Sequence, residues 1–292
     1  MKIERVGVVG CGLMGSGIAE VAARAGFEVM VRELDEAAIA AGRRRIERSM
    51  SRALEKEKVT AADNEAATAR LQFTTELSDL ADRDLVIEAI VENADAKAAT
   101  FDALDAVCGD HAIFATNTSS LTVTDLAART ARPDRFVGLH FFNPVPVMRL
   151  VEVVPTLASD PDVVESVVAF GRALGKEPIV ARDGSGFVVN LLLVPYMLDA
   201  VRQLERGVAS IPDIDTAMRL GCGYPMGPFA LADFVGLDTT LRIAEIMFDE
   251  YRESRYAPPP LLRRLVSLGR FGRKTGRGFY DYSGDEPVPL VL

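Results

Sequence analysis

Within its first twenty residues the chain reads Val6-Gly7-Val8-Val9-Gly10-Cys11-Gly12-Leu13-Met14-Gly15-Ser16-Gly17-Ile18. A β-branched run passes straight into three glycines spaced G-x-G-x-x-G, and these into an apolar segment of helical periodicity. Each glycine answers a different need. Gly10 permits a tight turn, Gly12 lets the backbone approach a diphosphate, and Gly15 lets the following helix pack closely on the strand. The free N–H groups and dipole at the start of that helix favour negative charge. The spacing alone is common; the strand before it and the helix after it make it a dinucleotide turn.

The second strand ends Val29-Met30-Val31-Arg32-Glu33, eighteen residues past Gly15. A carboxylate there accepts the ribose hydroxyls of NAD and repels the extra phosphate of NADP. The expected cofactor is therefore NAD, with Gly10, Gly12, Leu13, Met14, Gly15 and Glu33 as binding positions. Arg32 would have to swing across to serve NADP. As a bland alternative, Glu33 is an ordinary acid at a strand end; its spacing favours the functional reading.

Up to Arg182, short β-branched runs alternate with helical stretches, which predicts a mostly parallel sheet with helices on both faces. Candidate strands are Arg5–Val9, Glu28–Arg32, Leu85–Ala89, Ala112–Thr116, Phe136–His140, Leu150–Val154 and Pro178–Ala181. A long helical insertion, ending in the Ala53–Ala69 stretch, separates the second from the third. Phe136–His140 and Leu150–Val154 are joined by a loop too short for a helical crossover, so they are expected to pair antiparallel at the sheet edge. After the turn cluster Asp183-Gly184-Ser185-Gly186 the pattern becomes almost entirely helical. The expected architecture is an α/β, Rossmann-type domain over 1–183 followed by an all-α domain over 184–292. In the second, Pro195 is expected to kink a central helix and Gly207 to end it.

A net charge of −9 argues against general nucleic-acid binding, which needs a basic footprint. Three widely spaced cysteines with no C-x-x-C make a disulfide framework or a zinc site unexpected. The densest apolar run, Phe187–Leu198, is about half of the ~20 residues that a membrane span requires. A cytoplasmic protein without metal is the reading.

One of only two histidines, His140, closes an apolar strand, and twelve residues later Glu152 interrupts Leu150-Val151-Glu152-Val153-Val154. A buried carboxylate is costly unless paired. On the returning antiparallel strand Glu152 can pair with His140, orient its ring and stabilise the imidazolium. Histidine titrates near neutrality, so it can take a hydroxyl proton while a hydride leaves for a nicotinamide. The bland reading, a core histidine on a backbone carbonyl, loses to the upstream dinucleotide turn. His111, in a polar stretch, is expected to be exposed and without a partner.

Four further segments occur in one order: Ala89-Ile90-Val91-Glu92-Asn93, Asn117-Thr118-Ser119-Ser120-Leu121, Gly138-Leu139-His140-Phe141-Phe142-Asn143-Pro144-Val145, and Tyr224-Pro225-Met226-Gly227-Pro228. With the opening turn they resemble the 3-hydroxyacyl-CoA dehydrogenase family, in its stand-alone 3-hydroxybutyryl-CoA dehydrogenase type, over nearly the full length. The resemblance implies an NAD-dependent oxidoreductase of acyl-CoA and fatty-acid metabolism, a homodimer formed through the helical domain. In it Ser119 and Asn190 join His140 and Glu152 as catalytic and substrate-binding positions. By themselves these two read equally well as a helix N-cap and a buried polar filler. Domain closure would bring Asn190 to the site. Ser49 and Lys56, in an arginine-rich helix, match positions that contact coenzyme A, and Glu92, Lys97, Asn143 and Lys274 match cofactor contacts. Two departures stand out: Ser185 replaces a proline, expected to loosen the linker, and Leu191 replaces an arginine. A related dehydrogenase of another hydroxy acid, such as 3-hydroxyadipyl-CoA or a free sugar acid, and a non-catalytic crystallin-like relative remain alternatives.

Overall fold

Val6, Val8 and Val9 are almost completely buried because β1 (Arg5–Val9) lies inside an eight-stranded sheet, where apolar residues on both faces are covered. The computed structural model, which describes residues 1–291, divides into two units, Met1–Phe187 and the chain from Val188 onward.

In the first unit β1 leads into α1 (Leu13–Arg24), β2 (Glu28–Arg32), α2 (Glu36–Glu55), α3 (Ala61–Ala69) and β3 (Leu71–Thr74). There follow β4 (Leu85–Glu88), α4 (Ala94–Val107), β5 (Ile113–Thr116), α5 (Val123–Ala127), β6 (Phe136–Phe141), β7 (Leu150–Pro155), α6 (Pro161–Ala173) and β8 (Glu177–Val180). Across the sheet the order is β3-β2-β1-β4-β5-β6-β7-β8. The first six strands are mutually parallel in the doubly wound order, with the strand sequence reversing between β1 and β4, where such sheets bind ligands beyond their carboxyl ends. Both turn glycines matter there. Gly10 has φ +92°, and a Cβ on Gly15 would lie 1.9 Å from the Gly10 carbonyl oxygen.

One expectation about the sheet is corrected. β7 does pair antiparallel with β6, but it is not the edge, because α6 carries the chain over to β8, which pairs parallel with β7. Glu152 thereby lies opposite His140 on one side and Ile179 on the other, inside the sheet. The insertion after β2 holds the long helix expected over Asp35–Glu57, as α2, and then Thr60 and Asp63 form a reciprocal capping box that starts α3 afresh. It then delivers β3, a short, half-buried edge strand whose four residues show too little alternation to be read.

The second unit contains α7 (Val189–Glu205), α8 (Ile211–Cys222), α9 (Pro228–Val235), α10 (Leu237–Tyr251) and α11 (Pro260–Ser267) around Val194, Leu198, Phe229, Leu237, Met247 and Phe279. Pro195 sits inside α7, and Gly207 follows its end with φ +71°. The helical character does not run to the end, since β9 (Tyr280–Asp281) and β10 (Val288–Pro289) form a small antiparallel ladder. Asp233 accounts for this. Its carboxylate accepts the N–H groups of Phe279 and Tyr280 (2.9 Å each) and the Tyr282 hydroxyl (3.0 Å), supplying extended backbone with partners a helix would have used. Burial pushes the Asp233 carboxyl up, against those hydrogen bonds. Among the described residues no helix is long and apolar enough to cross a membrane.

Candidate active site

The dinucleotide turn is built as such a ligand requires. No side chain caps the first turn of α1 at Gly12, and a Cβ on Gly12 would meet nothing within 4 Å. At the end of β2 the Glu33 carboxylate accepts the Cys11 N–H (2.5 Å) and the Leu34 N–H (3.1 Å), bending back over the turn. Leu13 is exposed and Met14 half-buried. Arg32 points elsewhere, its Nε donating to the Thr75 carbonyl at 3.2 Å. Cys11, between the first two glycines, is inert as a nucleophile: burial, helped by the Glu33 charge, pushes its thiol up to about 12.

The second part of the site comes from the β6–β7 pair. His140 is 4% exposed and Glu152 fully buried, and the antiparallel register sets them opposite each other. His140 Nδ1 lies 2.7 Å from Glu152 Oε2, and Nε2 lies 2.9 Å from Ser119 Oγ. A carboxylate only accepts, so the Nδ1 proton faces Glu152 and leaves Nε2 free to receive one. Phe142 and Phe187 stand against the ring at 4.6 and 5.5 Å between centroids and keep water from it.

Ser119 is held in turn. Glu92 Oε1 accepts the backbone N–H groups of Ser119 (3.0 Å) and Ser120 (3.3 Å) and the hydroxyls of Thr118 (2.5 Å) and Ser120 (3.1 Å). Asn117 Oδ1 accepts the Phe141 N–H at 2.9 Å, fastening this loop to the end of β6. Ser185, expected to loosen the chain, does the reverse: it is buried, and its hydroxyl donates to the Ser120 carbonyl at 2.7 Å.

Comparison with known proteins agrees with this geometry. Residues 5–184 match the NAD binding domain of 3-hydroxyacyl-CoA dehydrogenase, and residues 186–282 match its C-terminal domain. The chain belongs to the 3-hydroxyacyl-CoA dehydrogenase family. It is 53% identical over 282 residues to a 3-hydroxybutyryl-CoA dehydrogenase of Mycobacterium tuberculosis, covering 96% of this chain and 99% of that one. It is 47% identical over 287 residues to human mitochondrial hydroxyacyl-coenzyme A dehydrogenase, covering 96% and 91%. Among solved structures it is similar to the (S)-3-hydroxybutyryl-CoA dehydrogenase of Ralstonia eutropha, with TM-score 0.93, 44% identity and coverage of 97% and 100%.

In this dehydrogenase the remaining expected positions fall in three places. Ser49 and Lys56 line one cavity of about 500 Å³ with Arg45, Arg48, Arg52 and Lys58, and Leu13 and Asn143 line it too. Ser49 is hydrogen-bonded to Glu20, a nearly buried acid whose carboxyl burial pushes up, while that bond and Arg24 pull it down. Lys97 is not a surface contact: it is 1% exposed, with its ammonium 2.6 Å from Glu88 Oε1 and 3.2 Å from Glu92 Oε2. In the second unit Asn190 sits in the first turn of α7, and Lys274 pairs with Asp238 at 2.6 Å. His111 is half exposed but not alone, lying 3.7 Å from Asp84. Among the described residues no group of three or more metal-ligating side chains occurs.

The sequence reading missed Glu88, Thr116 and Asn117 as parts of the site. Glu88 carried the signal that marked Glu152, an acid inside an apolar strand (Leu85-Val86-Ile87-Glu88), and was passed over.

With Arg32 occupied by a carbonyl, cofactor choice rests on Glu33. Replacing it, Glu33→Ala, is expected to lower the ratio of kcat/KM for NADH over NADPH by at least about tenfold, or ~1.4 kcal/mol. An unchanged ratio in steady-state assays would take the discrimination away from Glu33.

Proposed function

We propose that this dehydrogenase interconverts (S)-3-hydroxybutyryl-CoA and acetoacetyl-CoA, that it works as a homodimer in the cytoplasm, and that His140 and Glu152 are its acid–base pair. The observation that carries the chemistry is the buried His140–Glu152 pair with Ser119 on its open nitrogen. The loop that follows β6, from Asn143 to Val147, shares a cavity with Leu13 and Ser16 of the dinucleotide helix, which sets the chain leaving His140 beside that helix.

Bound NAD supplies the hydride acceptor. In the oxidative direction His140 Nε2 removes the hydroxyl proton of the substrate as the carbinol carbon gives up its hydride and becomes a carbonyl carbon. Glu152 keeps Nδ1 as the donor and balances the imidazolium once the proton has arrived, which in a dry site spares an unpaired charge. Ser119 Oγ, already at hydrogen-bond distance from Nε2, holds the substrate oxygen within reach of that nitrogen as it turns from hydroxyl to carbonyl. Asn190 is given the same task on the strength of the family motif. Reduction runs these steps backwards, with the imidazolium as acid.

Coenzyme A brings several phosphate charges, and the cavity holding Ser49 and Lys56 is where this acidic chain concentrates cations. Arg24 lines this cavity and also a second one of about 670 Å³, with Arg70, Arg149 and Lys176. A local basic surface on a chain of net charge −9 concentrates an anionic ligand without attracting polyanions in general.

The dimer reading rests on apolar surface left exposed in the second unit. Leu192, Leu220 and Phe234 are 66%, 79% and 44% exposed, on α7, α8 and α9. Exposed large apolar side chains of this kind, where they join into one patch, mark an association site.

Four measurements test these statements. NADH oxidation should proceed with acetoacetyl-CoA and fall by at least about 100-fold in kcat/KM with free acetoacetate, and Glu152→Gln should lower kcat by at least ~100-fold with NADH binding nearly intact. Equal use of the free acid would reject the CoA ester as substrate, and unchanged turnover would return Glu152 to a structural role. Lys56→Met should raise KM for acetoacetyl-CoA about fivefold, as for one lost charge-assisted contact, and leave the KM of the phosphate-free acetoacetyl N-acetylcysteamine thioester unmoved. Equal changes for both would place the phosphates elsewhere. Sedimentation at micromolar concentration should give twice the 31.6 kDa chain mass; a monomer would end the dimer proposal.

A further inference from the structure

Among the described residues three other than glycine have positive φ: Glu57, Phe187 and Arg252. Glu57 and Arg252 are exposed and stand just past the ends of α2 and α10, where a left-handed residue is an ordinary way to stop a helix. Phe187 is different. It is 4% exposed, ends no helix and has φ +48°, directly after Gly186 at +86°. Glycine would take this backbone freely, whereas an aromatic residue is opposed there by its own Cβ. A strained conformation persists only where its surroundings hold it, which raises the question of what the held side chain does.

Asp183 accepts the backbone N–H groups of Val123 (2.9 Å) and Thr124 (2.6 Å), one on each carboxylate oxygen, at the start of α5. The Ser185 hydroxyl donates to the Ser120 carbonyl at 2.7 Å, and the Phe187 N–H donates to the Gly184 carbonyl at 3.0 Å. Residues 183–187 are thus fastened along residues 120–124, the stretch that follows Ser119. The ring that this turn projects lies 5.5 Å from the His140 ring between centroids. Phe187 also belongs to the apolar cluster that includes Val123, Val154 and Ala181, so plain core packing is the alternative. Packing asks for volume, which an unstrained backbone supplies equally well; a strained turn fixes where one ring goes. The hydrogen bonds of His140 to Glu152 and Ser119 set the direction of its nitrogens. They do not by themselves stop the imidazole from tilting about the line between them, and Phe142 and Phe187 stand in the way of that motion.

We propose that residues 183–187 are a positioning strap for the acid–base pair: Asp183 and Ser185 fasten it to residues 120–124, and its left-handed turn sets the Phe187 ring against His140, so that Nε2 keeps its place beside the Ser119 hydroxyl. The strap rests on the reading above in which His140 and Ser119 handle the substrate's proton and oxygen. Phe187 acts through His140, as a positioning residue, and carries no proton itself.

A double-mutant cycle in acetoacetyl-CoA reduction separates this role from core packing. Phe187→Leu keeps apolar bulk and removes the ring. It is expected to lower kcat at least about fivefold, with the KM values for NADH and acetoacetyl-CoA within about threefold. On His140→Gln, measured at high enzyme concentration, the same change should cost less than about twofold more, because the ring it positions is gone. Additivity would reduce the strap to a structural element, and a rise in either KM at unchanged kcat would make Phe187 a ligand contact instead. Should Phe187→Leu fail to fold, Ser185→Ala cuts one fastening and makes the same cycle; it should lower kcat about threefold and lose that effect on His140→Gln. An unaltered enzyme inactive toward acetoacetyl-CoA would reject the proposed function and the strap's part in it together, whereas additivity in an active enzyme rejects the strap alone.

Discussion

The antiparallel register of β6 on β7 is the constraint on which the site depends. It sets His140 opposite Glu152 with 2.7 Å between Nδ1 and Oε2, and it does so in the interior of the sheet. Side chains alternate faces along a strand, so a slip by one residue would send one partner to the other face and strand a carboxylate among valines. The register is secured on both sides. β8 pairs with the far edge of β7, and Val137, Leu139, Val151 and Val153, all fully buried, fix which face each strand turns inward. Because the partner is already in place, the ring needs no rearrangement to choose its tautomer.

Around that pair the site is assembled from strand ends. Glu88 closes β4, Thr116 closes β5, His140 nearly closes β6, and the loops leaving them carry Glu92, Asn117 and Ser119. The Asn117 amide bonded to the Phe141 N–H and the Glu92 carboxylate bonded to the Ser119 N–H tie adjacent loops together at hydrogen-bond length. Loops alone would leave a hydroxyl mobile by more than a productive geometry tolerates. Here each loop is anchored to a strand that cannot shift without breaking the sheet.

Much of this was legible in the sequence because it is written in local patterns. The glycine spacing, the β-branched runs and the acid inside Leu150–Val154 each have one physical explanation, and the structure realises them in the turn, the strands and the His140–Glu152 pair. What escaped depended on distance or on brevity. β3 is four residues long and α6 gave no motif, so β7 was expected at an edge that β8 covers. Lys97 matched a cofactor contact by resemblance, and sequence does not show that two acids, nine residues and five residues before it, enclose its ammonium. Ser185 looked like slack in a linker because its acceptor, the Ser120 carbonyl, is sixty-five residues away.

The charge balance of the site follows from the same contacts and argues for the direction of its chemistry. Glu152, fully buried, stands 2.7 Å from His140 Nδ1, so the acid that the proposed chemistry needs is already beside the ring. Glu92 and Glu88 both reach the ammonium of Lys97, and backbone and hydroxyl donors also bond to them. In the proposed reaction a proton delivered to His140 would meet the Glu152 carboxylate directly. In a dry environment an uncompensated imidazolium would be opposed by several kcal/mol. With the carboxylate fixed beforehand, the proposed proton transfer from the alcohol would not meet that opposition. A preorganised charge of this kind costs stability in the folded protein and lowers the barrier to proton transfer. Under the proposed mechanism Glu152 stands where His140 would gain positive charge, and Arg45, Arg48, Arg52, Lys56 and Lys58 line the cavity proposed for the phosphates of coenzyme A.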